Sequence, residues 1–102
     1  MKMDIEMQER CKGYMGEHLL FLRKKLGMSQ SHLADMIGIS RQSYNGIENG
    51  KRAMRWETFL ALELFFLRQP ETGDWIYYNE VLSPEGLFQR EECCEEEAAE
   101  QG

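Results

Sequence analysis

Residues 29–52 read SQSHLADMIGISRQSYNGIENGKR, and the fold follows from where this stretch puts its capping, small and apolar residues. Ser29 precedes a run in which Leu33 and Ile37 lie four apart, on one helical face. A serine hydroxyl at such a start satisfies a free backbone N–H. Gly38 suits the left-handed conformation that stops a helix. Ile39 then offers an apolar plug, Ser40 a second cap, and Tyr44 and Ile47 a second inner face that ends near Gly50. Ala34 falls where the two helices cross, and a larger side chain there would push them apart. Helices separated only by Gly38, Ile39 and Ser40 cannot lie parallel. They must cross steeply, as in a helix-turn-helix.

Working outward, Leu19, Leu22 and Leu26 form a helical stripe over residues 16–26. That helix can extend backwards through Met15 and Cys11, although Gly13 and Gly16 each oppose it by roughly 1 kcal/mol. Residues 56–68 form a fourth helix, with Arg55 a poor cap before it. Pro70 and Gly73 then break the chain. Residues 75–82 read as a short amphipathic helix with Trp75, Tyr78 and Leu82 on one side. The expected organisation is an N-terminal extension over 1–15, a helical domain over 16–68, a packing or dimerisation segment over 69–84, and an acidic tail over 85–102. The tail holds little apolar surface besides Leu87 and Phe88, so disorder is expected there. The fold class is all-α, a compact bundle of four to five helices.

The 102-residue chain has a net charge of −6, unevenly distributed. Residues 1–68 hold 11 Lys/Arg against 8 Asp/Glu, a net +3, and residues 69–102 hold 1 Arg against 10 Asp/Glu, a net −9. A mildly basic body carrying an acidic tail is more informative than the total. Cys11, Cys93 and Cys94 have no framework spacing and suit a reducing compartment. Adjacent Cys93 and Cys94 cannot alone make a four-ligand zinc site, and no metal or cofactor is expected. The densest apolar run, 59–67, is less than half of the roughly 20 residues a membrane span needs. His18 and His32 pair with no nucleophile in a recognisable motif, and no phosphate loop occurs, so catalysis is not expected. A soluble cytoplasmic protein is expected.

The quoted segment resembles the phage-repressor-like (XRE, Cro/cI-type) helix-turn-helix family, over about residues 16–67. The run Ile47-Glu48-Asn49-Gly50-Lys51 is especially similar. The resemblance implies a lambda-repressor-like bundle that binds double-stranded DNA, with the helix after Ser40 in the major groove. Side chains near the start of such a helix reach base edges. Arg41 and Gln42 are therefore candidate base-reading residues. The family's third reading position falls on Gly46, which has no side chain, and Asn45 is the candidate replacement. Gln30 at the start of the second helix is a candidate phosphate contact, because a helix start binds anions. Ser43, Asn49, Lys51 and Arg52 are further phosphate candidates. The resemblance also pairs Arg23 with Glu48, fixing the recognition helix and turning Arg23 towards a phosphate.

Two features point to a partner. The fourth helix is apolar nearly all round except for Glu63, which suggests burial on more than one side. Leu20, Phe21 and Leu22 widen the apolar stripe of the first helix. A homodimer is expected, with Phe65, Phe66, Trp75, Tyr78 and Leu82 on the dimer surface, matching a two-fold operator. Three functions remain open: a DNA-binding repressor, an antitoxin whose C-terminal part wraps a toxin, and a protein-interaction module on the same fold. The acidic tail is either solubilising or a competitor for the basic DNA face.

Overall fold

The computed structural model describes residues 5–84. The acidic tail, with Leu87, Phe88, Cys93 and Cys94, lies outside the described residues, as do residues 1–4. Within them the chain is all-α, with five helices: α1 (Ile5–Leu26), α2 (Gln30–Ile37), α3 (Arg41–Glu48), α4 (Trp56–Arg68) and α5 (Gly73–Tyr77). α2 packs on α3, α4 on α5, and α1 contacts both α3 and α4. No described helix is long and apolar enough to cross a membrane.

The turn between α2 and α3 forms as its residues dictate. Ser29 Oγ accepts the His32 N–H at 3.0 Å, and Ser40 Oγ accepts the Ser43 N–H at 3.0 Å. Gly38 has φ +83, and the Gly38 and Ile39 N–H groups both donate to the Ala34 carbonyl, at 2.9 and 3.0 Å. Two donors on one carbonyl close α2 and turn the chain within three residues. Leu33, Ala34, Tyr44 and Ile47 are buried, while Ile37 and Ile39 pack partly buried against them.

α1 is twice as long as the Leu19–Leu22–Leu26 stripe predicts. Cys11, Met15, Leu19 and Leu22 form one continuous buried stripe, and packing of that face outweighs the unfavourable helix propensity of Gly13 and Gly16. The boundary expected at residue 15/16 therefore falls inside α1.

α5 differs from the expected helix over 75–82. It is only Gly73–Tyr77. Asn79 Oδ1 accepts the N–H groups of Val81 and Leu82 at 2.8 and 3.0 Å, so a side chain takes over from the helical ladder. The Asn79 amide also donates to the Tyr14 hydroxyl at 3.0 Å, tying this segment to α1. At the entry to α5, Thr72 is buried and its hydroxyl donates to the Phe66 carbonyl at 2.7 Å. A Cβ on Gly73 would lie 2.7 Å from the Leu67 carbonyl oxygen, so only glycine fits. Trp75 rests against the His18 and Phe21 rings of α1, at 5.4 and 5.6 Å between centroids.

This strap corrects the expected dimer surface. Phe66 and Leu82 are 0% exposed within one chain, covered by its own helices. Tyr78 does not share a buried side with Trp75 and is 78% exposed. Leu20, Phe21, Leu64 and Tyr77 remain about half exposed.

α4 shows an inversion: Leu64 faces outward while Glu63 is buried, and neither Glu63 carboxylate oxygen has a hydrogen-bond partner among the described residues. An unpartnered carboxylate is costly in an apolar core. Burial pushes the Glu63 carboxyl up to about 8 from its ordinary 4.5. The same burial, with the Glu63 charge, raises the Cys11 thiol. The unfolded chain releases the Glu63 proton near its ordinary value, whereas the folded chain holds it to about 8. Stability from this group is thus complete below its ordinary value and declines as pH rises towards 8. Glu63→Leu should remove that decline and stabilise the protein by about 3 kcal/mol at pH 8. Urea unfolding of both proteins between pH 5 and 8 tests this, and equal slopes with pH would refute it.

Candidate nucleic-acid interface

The geometry of α3 is set by one carboxylate. Glu48 ends the helix, and its side chain is only 7% exposed. Its Oε2 accepts from Arg23 Nε at 2.8 Å and from the Tyr44 hydroxyl at 2.9 Å. Its Oε1 accepts from Arg23 Nη2 at 3.0 Å and from the Gln30 side-chain amide. A carboxylate offers about four lone-pair sites, and here four donors fill them. The donors come from α1, α2 and α3. Arg23 Nη1 also donates to the Met28 carbonyl at 3.0 Å, holding the α1–α2 turn.

The electrostatics follow this arrangement. Burial alone would raise the Glu48 carboxyl, but the bonds from Arg23, Gln30 and Tyr44 and the Arg23 charge outweigh it and leave it below its ordinary value. The Glu48 bond likewise raises Arg23. Burial, then the Glu48 charge and bond, raise the Tyr44 phenol far above its ordinary range, so it stays a donor.

With its inner side fixed, α3 turns a polar side outward. Arg41 and Gln42 are exposed in its first turn, and Asn45 is half-buried one turn on. Asn49 donates its amide to Asn45 Oδ1 at 3.1 Å and accepts the Lys51 N–H on its own Oδ1 at 3.2 Å. Asn45 and Asn49 thus brace the start of the loop after α3, with Lys51 exposed beside them. Arg52 Nη1 donates to Ser43 Oγ at 3.3 Å, drawing that side chain back onto α3. The structure therefore brings Arg41, Gln42, Ser43, Asn45, Asn49, Lys51 and Arg52 to α3 and its loop. Arg23 and Gln30 sit at the Glu48 end, each with donors engaged by the protein itself.

Of the links to Glu48, those from Tyr44 and Gln30 were not foreseen from sequence. The Tyr44 hydroxyl on Glu48 has a legible signal, since residues four apart on a helix are neighbours. The Gln30 bond joins separate helices and has no local signal. Among the described residues, no group of three or more His, Cys, Asp or Glu can hold a metal ion.

Residues 19–66 match the family model described as Helix-turn-helix. Over these residues the chain is similar to the XRE-type, Cro/cI-like helix-turn-helix domains of DNA-binding transcription regulators. No curated protein and no solved structure matches the chain.

Glu48→Ala should cost about 3 kcal/mol, because it leaves Arg23 and the Tyr44 hydroxyl without their acceptor. Tyr44→Phe should cost about 1.5–3 kcal/mol, the worth of one hydrogen bond to a charged group. Since the Glu48 carboxyl is held below its ordinary value, its stabilisation is present above that value and fades as pH falls. Denaturant titration measures both costs. A Glu48→Ala loss no larger than that of Tyr44→Phe would show that Glu48 does not organise the site.

Proposed function

We propose that the protein is a sequence-specific repressor that binds a two-fold operator in double-stranded DNA as a homodimer. The observation that carries this reading is the pair Arg41 and Gln42, both exposed in the first turn of a helix whose inner side is locked by Glu48. A helix of this kind enters the major groove and meets base edges with its first residues. Arginine bonds guanine through two parallel hydrogen bonds, and glutamine bonds adenine in the same way. Phosphate contacts then fix the register. Lys51, with the N–H groups of Gln30 and Ser31 that have no acceptor inside α2, suits that task. Occupancy of an operator that overlaps a promoter would exclude other proteins from the same groove, which is the route to repression.

The dimer reading is supported by the apolar surface that the chain leaves open. Phe21 packs on Trp75, and Tyr77 and Tyr78 meet edge to face at 5.0 Å between centroids. Leu20 adds to the half-exposed surface of α1. A second copy related by a two-fold axis would cover this surface and set two α3 helices about one turn of DNA apart.

Two experiments test these readings. Selection of bound sites from random duplex DNA should enrich one motif. Arg41→Ala should then weaken binding to it by about 1–3 kcal/mol and relax one base position. Equal weakening on every sequence would instead make Arg41 a phosphate contact, and no enrichment at low salt would reject the function. Sedimentation at tens of micromolar should show a dimer that the double substitution Tyr77→Asp, Tyr78→Asp dissociates. A wild-type protein that sediments only as monomer would end the dimer reading.

A further inference from the structure

The outward side of α3 contains a gap. Gly46 lies four residues after Gln42, so the two share a helix face, yet Gly46 offers no side chain to the groove. The structure shows what lies over it. The N–H groups of Lys51 and Arg52 both donate to the Gly46 carbonyl, at 2.8 and 3.0 Å, so the loop folds back at this residue. A Cβ built on Gly46 would lie 3.1 Å from Arg52 Cβ, 3.6 Å from its Nε and 3.8 Å from its Cδ. The Arg52 guanidinium then reaches Ser43 Oγ at 3.3 Å. Ser43 and Gly46 are three residues apart, again neighbours on one face. The Arg52 side chain therefore runs along α3 across the surface that a residue at position 46 would cover.

We propose that Arg52 is a base-reading residue that takes the place of the missing side chain at Gly46, recognising a guanine edge in the major groove. The inference rests on the reading of α3 as the recognition helix. An arginine has five N–H donors in a fixed fork. The Ser43 bond uses one on Nη1, and the Nε–Nη2 edge carries the two parallel donors that guanine O6 and N7 require. Contact with Gly46 and the bond to Ser43 restrict an otherwise flexible chain before DNA arrives, which lowers the ordering entropy of binding. A residue larger than glycine at 46 would crowd Arg52 at its Cβ, where a side chain has little freedom to move. Gly46 and Arg52 thus act as one unit: the glycine supplies the seat and the arginine the contact.

Site selection from random duplex DNA with the wild type, Arg52→Ala and Arg52→Lys tests the proposal. Arg52 is exposed, so both variants should keep the wild-type melting temperature. Arg52→Ala should lose about 10- to 100-fold on the selected site and lose preference at one guanine, distinct from the position relaxed by Arg41→Ala. Arg52→Lys keeps the charge but not the planar fork, so it should retain non-specific affinity and still lose that guanine preference. An unchanged motif in Arg52→Ala, with equal loss on all sequences and full rescue by lysine, would make Arg52 a phosphate contact and overturn the proposal while leaving the DNA-binding reading intact. A wild type that enriches no motif would overturn both.

Discussion

Four hydrogen bonds converge on the Glu48 carboxylate, and the relation of three helices depends on them. Arg23 brings α1, Gln30 brings the start of α2, and Tyr44 and Glu48 itself belong to α3. The apolar core of Leu33, Ala34, Tyr44 and Ile47 holds these helices together, but burial is non-directional. A bidentate arginine–carboxylate contact is directional. A buried ion pair adds little net stability over an apolar replacement, because desolvation offsets most of its attraction. The contribution of this one is orientation: it fixes the rotation of α3 about its own axis, which decides the residues that face outward.

Glu63 makes the opposite case with the same chemical group. Its carboxylate lies in the core with no partner among the described residues, and its acidity shifts the other way from that of Glu48. The two carboxylates therefore pull stability in opposite directions along the pH scale. Glu48 contributes more as it ionises, and Glu63 contributes less as the unfolded chain ionises. The separation is local: α3 is organised around a satisfied charge, and α4 carries a buried carboxyl without a hydrogen-bond partner among the described residues.

The fold was legible wherever local rules were decisive. Ser29, Gly38 and Ser40 announce two caps and a stop, and each acts through atoms of its own segment. The extent of α1 was legible in part: Met15 and Cys11 continue its stripe backwards, but Gly13 and Gly16 argue locally against a helix that Cys11 and Met15 stabilise only through distant partners. The segment after α4 misled for the same reason. Trp75, Tyr78 and Leu82 have helical spacing, but the Asn79 side chain captures the N–H groups that a helix would need. In the site, a family resemblance paired Arg23 with Glu48. The Gln30 bond and the fold-back of Arg52 join residues 18 and nine positions from their partners, and no periodicity encodes either.

The outward surface of α3 is consequently not the helix alone. Asn49 holds Asn45 from the loop side, and Arg52 lies over Gly46 and reaches Ser43. Each pair links a helix residue to one that follows the helix. A long side chain in a loop ordinarily loses considerable rotamer freedom on binding. Here that loss is taken during folding, because the loop is already bonded to the Gly46 carbonyl and the side chain already rests on the helix. The surface offered to a groove is thus composite: its shape is held by the loop's bonds to α3 and its direction by Glu48. Because the Lys51 and Arg52 N–H groups are bonded to the Gly46 carbonyl and the Arg52 guanidinium to Ser43, the loop contribution turns with α3, so the direction that Glu48 sets for the helix is also the direction of Arg52.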